Sequence, residues 1–303
     1  MEPKSGIVTM MKPTTFAGLL LGLLTLPLFS PGCSRNPATG ERIAMLIGRD
    51  QEIAIGEEAA PEFEDTFQGL VRDEQVQRYV RRVGADVSEV AEREMPYEFA
   101  ALRSEVPNAF ALPGGKVYVT VGLLEVMESE RELAAVLAHE VGHIAAQHNV
   151  QALQRQVGAG ILVDVAVRVA GDDSGQAAGK VTQIVTGLGN LRYSRQDEYQ
   201  ADLLGIRYMS RAGYNPWGMV ELLTRLEAIG GRGGGSLTEF FSTHPLTEKR
   251  IAEAEQIVRD NHPQARRDKA PANMEHFSAM RKRAVSEKKA HEPVESREDT
   301  DDS

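Results

Sequence analysis

The chain has 303 residues, 42% of them hydrophobic, and a formal net charge of −10 at pH 7. That is enough chain for one large domain or two small ones, and the negative balance argues against nucleic-acid binding as the main task. The longest apolar run, Phe16 to Phe29, falls short of the roughly 20 residues a membrane-spanning helix needs.

That run follows Lys4 and Lys12 and ends near Ser30-Pro31-Gly32-Cys33. The order of charge, apolar stretch and small residues is that of an export signal, placed at 1–32, with Met10 and Met11 as alternative starts. Cys33 is the single cysteine, so the fold cannot depend on an internal disulfide. Its place just after the apolar segment matches the lipid-attachment site of a bacterial lipoprotein. Ser30 stands where such signals usually carry leucine, and simple cleavage and secretion is the alternative. Residues 33–50, with the turn-rich Asn36-Pro37-Ala38-Thr39-Gly40, read as a tether.

A domain at 51–262 follows. Gln51 to Phe67 reads as a Glu-rich helix interrupted by Pro61. In Asp73 to Arg93, Val76, Tyr79, Val80, Val83 and Val87 recur at helical spacing, as core. From Tyr97 the period changes. Phe110-Ala111-Leu112, Pro113-Gly114-Gly115 and Lys116-Val117-Tyr118-Val119-Thr120 read as strand, tight turn, strand. Such a strand is either a plain hairpin arm or an edge that binds substrate backbone by strand addition. Gly122 to Met127 begins a short helix.

Ser129-Glu130-Arg131-Glu132 has the form of a capping box. It opens a helix with an apolar stripe of Leu133, Leu137, Val141 and Ile144 and a motif, His139-Glu140-Val141-Gly142-His143, set off that stripe. Four residues apart on a helix, His139 and His143 share a face and can grip one metal ion; Glu140 beside them can take a proton from water. A half-buried helix lining a cleft suits this pattern. Were the helix to continue, His148 would lie roughly 140° round from His143, and it reads as a surface or helix-end histidine. The metzincin extension of the motif is excluded, because Ala146 and Asn149 stand where it needs glycine and histidine.

Gln151 to Gly189 reads as two core helices around a polar break, Gly171 to Gly179; a mobile lid over the cleft or a membrane-leaning surface is the functional alternative. Its apolar patch runs from Ile161 to Val169. Ser194 is placed to cap a helix carrying Glu198 and Asp202, which share a face. A glutamate is a good third zinc ligand that leaves one position open, and Asp202 one turn on could fix a histidine tautomer. Glu221 to Ile229 is helical, and the glycine-rich 230–235 is a loop without the context of a phosphate site. His244 before Pro245 sits in extended or turn backbone, able to point into a cleft or to remain a surface residue. Glu248 to Asp260 is a charged helix. Residues 263–303 read as a charged, disordered tail.

Together, Leu137 to His143, Glu198 to Asp202 and Ser242-Thr243-His244-Pro245 resemble the HtpX-like and BepA-like zinc metallopeptidases, a family that includes the CAAX prenyl proteases. Cys33-Ser34-Arg35-Asn36-Pro37-Ala38-Thr39-Gly40 resembles the opening of its periplasmic lipoprotein members. The resemblance covers roughly 33–260. It implies an α+β, mostly helical, zincin-like fold of gluzincin type, with a small edge-strand sheet and two zinc-binding helices. It implies one Zn2+ per chain held by His139, His143 and Glu198, with Glu140 as catalytic base and Asp202 supporting a ligand. His244 matches a histidine near the zinc, either stabilising the oxyanion or braking the site. Asn108 and Ala109 match the substrate-binding edge strand, and Arg250 also matches. The substrates implied are unfolded or misassembled envelope polypeptides, at the periplasmic side of a bacterial outer membrane held through the Cys33 lipid. A latent protease acting as an envelope chaperone or assembly factor is the alternative. Missing are the membrane spans of the prenyl proteases and an obvious helical-repeat domain after residue 260.

Overall fold

The computed structural model describes residues 33–158, 160–162, 174–230, 237–267 and 272–289. The export signal at 1–32, most of the apolar patch (163–169), the glycines at 231–235 and the final 290–303 lie outside the described residues.

A central helix, α4 (Glu130–Ala146), carries the histidine motif, and every one of its residues is buried. The expectation of a half-buried helix is corrected: its apolar stripe packs inward while neighbours cover the remaining faces. Those neighbours are α2 (Glu74–Ser88), α7 (Arg195–Arg211), α8 (Trp217–Gly230) and the sheet. Asp73 caps α2 by accepting from the Gln75 and Val76 N–H groups, and Val76, Val80, Val83 and Val87 are fully buried. Helix α7 is capped by Ser194, which accepts from the Asp197 N–H while Asp197 accepts from the Ser194 N–H. Glycines let α4 and α7 approach closely. A Cβ at Gly142 would stand 2.9 Å from the Ala201 carbonyl oxygen.

The sheet has the order β3-β5-β4, with β3 (Glu98–Leu102) parallel and β4 (Ala109–Ala111) antiparallel to β5 (Lys116–Thr120). The β4–β5 turn needs left-handed backbone at Gly114 (φ 85°) and Gly115 (φ 106°), which glycine adopts without strain. Helix α1 (Arg49–Thr66) packs on this turn, and Pro61 sits inside it instead of interrupting it. The remaining helices are α3 (Val121–Val126), α5 (His148–Val157), α6 (Ser174–Gly189), α9 (Thr238–Thr243), α10 (Glu248–Asn261) and α11 (Met274–Lys289). The expected mixed, mostly helical α+β architecture is present.

Several expectations are corrected. Residues 33–50 are not a free tether. Strands β1 (Cys33–Arg35) and β2 (Arg42–Ala44) form an antiparallel hairpin. Buried Asn36 there donates to the Ala145 carbonyl at the end of α4 (2.8 Å). The amide satisfies a carbonyl that the helix itself cannot. The tail is not uniformly disordered: α11 packs Phe277, Met280 and Ala284 into the core, apolar residues spaced too sparsely to register against the surrounding charge. The polar break Gly171 to Gly179 is helical from Ser174 onward. The Ser129 box does not close. Ser129 Oγ has no hydrogen-bond partner among the described residues, and Glu132 accepts from the Glu128 N–H and from Arg225 instead. No described helix is long and apolar enough to cross a membrane.

Candidate metal centre

Two adjacent helices and one loop bring the candidate residues together. α4 supplies His139, Glu140 and His143; α7 supplies Glu198 and Asp202; the turn between α9 and α10 supplies His244. His244 takes φ −116° and ψ 86°, non-helical backbone as its proline neighbour requires. All six side chains are buried.

The donor atoms converge. His139 Nε2 lies 3.0 Å from His143 Nε2 and 3.4 Å from His244 Nδ1. Glu198 Oε1 lies 3.4 Å from His143 Nε2 and 3.0 Å from His244 Nδ1. Donors arranged tetrahedrally about 2.0–2.2 Å from one ion stand roughly 3.3–3.6 Å apart; these four contacts match that spacing within a few tenths of an ångström, and the whole set lies within 4.8 Å. His139, His143, Glu198 and His244 are the one such cluster among the described residues. Glu140 supplies a second test of fit. Both its oxygens are buried without a hydrogen-bond partner among the described residues, and His244 Nε2 is 3.7 Å away. A buried carboxylate costs several kcal/mol when unpaired, and a cation with its water would relieve that cost.

A buried guanidinium holds the surroundings. Arg250, on α10, donates through Nε to Asp202 Oδ2 (2.6 Å), through Nη2 to Asp202 Oδ1 (2.8 Å), and through Nη1 to Glu198 Oε2. Asp202 Oδ1 faces His139 Nδ1 at 2.9 Å, leaving Nε2 of that ring for the cluster. Burial pushes the Glu198 carboxyl up, but Arg250 and the His244 and His143 imidazoles outweigh it and hold the group well below the ordinary range. Asp202 is likewise lowered against burial by Arg250 and His139. Glu140 has no such partner, and burial raises it above the ordinary carboxylate range despite His244 and His139. Burial drives His143 well down, toward the neutral imidazole a metal requires.

Asn108 and Ala109 lie at the start of β4, an edge strand of the sheet among the described residues, which packs against α4. Asn108 is fully buried; its Oδ1 accepts from the Ala109 N–H, and its Nδ2 has no partner among the described residues. No second strand lies against the outer side of β4 among the described residues. Cys33 is the first residue of β1.

Two residues near the cluster were not anticipated. Tyr193 stacks on the His143 ring (3.8 Å between centroids, 25°) and is buried. Its place just before the Ser194 cap was the available signal. His148 is buried at the start of α5 and does not project to the surface. The angular reading assumed a continuous helix, whereas Gln147 takes left-handed backbone (φ 65°) and turns the chain. A groove of about 910 Å³ between α3 and α8 is lined by Glu105, Glu125, Glu221 and Arg225 among others and touches no cluster residue.

The model of the family described as Peptidase family M48 matches residues 71–258. The Beta-barrel assembly-enhancing protease of Escherichia coli (strain K12) is 27% identical over 248 residues, 80% of this chain and 50% of that protein. The Mitochondrial metalloendopeptidase OMA1 of Schizosaccharomyces pombe is 35% identical over 182 residues, 60% of this chain and 51% of that protein. The Putative beta-barrel assembly-enhancing protease of Vibrio cholerae is 29% identical over 234 residues, 75% and 48% respectively. The chain thus spans about half the length of the curated relatives it matches.

Proposed function

Because the chain belongs to peptidase family M48, we propose that it is a zinc-dependent endopeptidase acting on unfolded or misassembled proteins of the cell envelope. The observation that carries this reading is Glu140, a buried carboxylate without a hydrogen-bond partner among the described residues, beside a converging His-His-Glu-His set. Three of those side chains, His139, His143 and Glu198, would hold one zinc ion; two imidazoles and a carboxylate are a donor set zinc takes in hydrolytic sites. When bound, the ion supplies Lewis-acid polarisation of the scissile carbonyl and lowers the pKa of water. Glu140 then serves as base: it takes a proton from the attacking water and delivers it to the leaving amine. Asp202 orients His139, and Arg250 keeps both acidic partners ionised. Strand β4, an edge strand of the sheet among the described residues, is the strand to which an extended substrate backbone would add.

A second reading is favoured by one observation. His244 Nδ1 stands among the ligand atoms and its Nε2 faces Glu140, so the site is drawn closed, with a fourth protein donor where water belongs. His244 is then a brake, and the protein is held latent as an assembly factor until the α9–α10 turn moves. Cleavage of an unfolded casein by the zinc-loaded parent and by His244→Ala separates the readings. A brake gives faster cleavage in the variant, and an oxyanion role gives a loss. No cleavage by either protein overturns the endopeptidase reading.

Relatives named for β-barrel assembly are in keeping with a cell-envelope protein, and from the sequence ahead of Cys33 we propose a periplasmic location with Cys33 lipid-anchored to the outer membrane. Because Cys33 begins β1, such an anchor would hold the domain close to the bilayer with no slack chain between. Mass spectrometry of the mature N-terminus is expected to show Cys33 as first residue carrying acyl chains. An unmodified thiol at Cys33 overturns the anchor.

A further inference from the structure

We propose that His148 is a positioning residue for the metal ligand His143, the first link of a directional hydrogen-bond chain that ends on Glu41 of the N-terminal hairpin. The proposal rests on the metal reading above. His139 and His143 both present Nε2 to the cluster, so each must be steadied through Nδ1. His139 meets a carboxylate there, Asp202. His143 does not: its Nδ1 lies 3.1 Å from His148 Nδ1, another imidazole.

Proton bookkeeping sets the direction of the chain. A ligating Nε2 is unprotonated, so His143 carries its proton on Nδ1 and donates it to His148 Nδ1. His148 must then be protonated on Nε2, and that atom lies 3.0 Å from an acceptor, Gln200 Oε1. The Gln200 amide nitrogen donates in turn to Glu41 Oε1, at 2.7 Å. Each group donates outward to the next, and the chain closes on an acid in the turn between β1 and β2. Reversing any link would place two donors or two acceptors face to face.

The backbone is built to deliver this contact. Gln147, left-handed at φ 65°, ends α4 and swings His148 back beside His143. Asn36 of the same hairpin donates to the Ala145 carbonyl and reaches Gln147 Oε1 at 3.4 Å. The hairpin therefore grips both the turn that places His148 and, through Glu41, the far end of its chain. One end of the metal site is thus buttressed by the segment just beyond residue 32.

Zinc retention tests the proposal without reference to catalysis. The purified parent and variants are loaded with zinc and challenged with a chromogenic chelator, and apo-protein unfolding is followed as a control. His148→Ala is expected to weaken zinc binding by roughly 10–100-fold. His148→Asn, whose amide sits where Nδ1 was, is expected to recover most of it. His148→Gln, whose amide reaches toward Gln200 instead, is expected to resemble alanine, and Glu41→Gln to weaken binding less. Should the alanine variant fail to fold, the asparagine and glutamine pair decides. Equal retention by His148→Ala and the parent, or asparagine no better than glutamine, overturns the positioning role. A parent that retains no zinc overturns the metal reading itself.

Discussion

Replacing Glu140 with glutamine is expected to slow peptide-bond hydrolysis by roughly 10²–10⁴-fold, the usual contribution of a general base, while leaving one zinc per chain. The expectation follows from position. Glu140 is one residue beyond His139 on α4, and neither of its oxygens has a hydrogen-bond partner among the described residues. Glutamine keeps the volume but cannot accept the proton. Metal content is expected to hold because the proposed ligand atoms belong to His139, His143 and Glu198. In the metal-free protein burial holds the Glu140 carboxyl above the ordinary glutamate range, and a bound cation would favour its ionised form, the form a base needs. Full activity in Glu140→Gln would falsify the mechanism.

Arg250→Ala is expected to be the most damaging single change to stability. The guanidinium is buried and holds two fully buried carboxylates, Asp202 and Glu198. Breaking such a pair from one side typically costs about 3–5 kcal/mol, because the charge left behind has no partner. The pH dependence has a definite sign. Both carboxyls sit below their ordinary values in the folded protein, so their stabilisation is present above those ordinary values and is lost as pH falls. Without Arg250 burial dominates, both carboxyls rise, and acid unfolding moves to higher pH. Zinc supplies positive charge at Glu198, so the loaded variant is expected to lose less than the apo variant. Denaturant titrations of apo and loaded protein measure both effects; an apo Arg250→Ala protein as stable as its parent contradicts the account.

Arg250 also shows where the sequence was readable and where it was not. Short-range spacing carried much: His139 and His143 one turn apart, Glu198 and Asp202 on a capped helix, and the turn at Pro113 to Gly115 all lie where period and local chemistry put them. What spacing could not supply were the contacts between segments far apart in the chain. Arg250 reaches Asp202 across 48 positions, and His244 reaches His139 across 105. His148 was misplaced for a local reason. The left-handed residue that redirects the chain is Gln147, and no glycine or proline marks the break. Helix α11 was hidden by its surface charge, since three buried residues are enough to seat it. The docked hairpin at Cys33 to Ala44 was hidden because turn-rich composition fits a tether equally well.

The central claim, that this His-His-Glu site holds the zinc that peptide hydrolysis requires, is tested most directly by one paired measurement. Zinc per chain and cleavage of unfolded casein are followed together as a chelator is titrated in and zinc is returned, with His244→Ala run alongside the parent. The account predicts one zinc per chain, cleavage that falls in proportion as zinc leaves, and recovery when it is restored. Cleavage that persists in protein stripped of metal would contradict it.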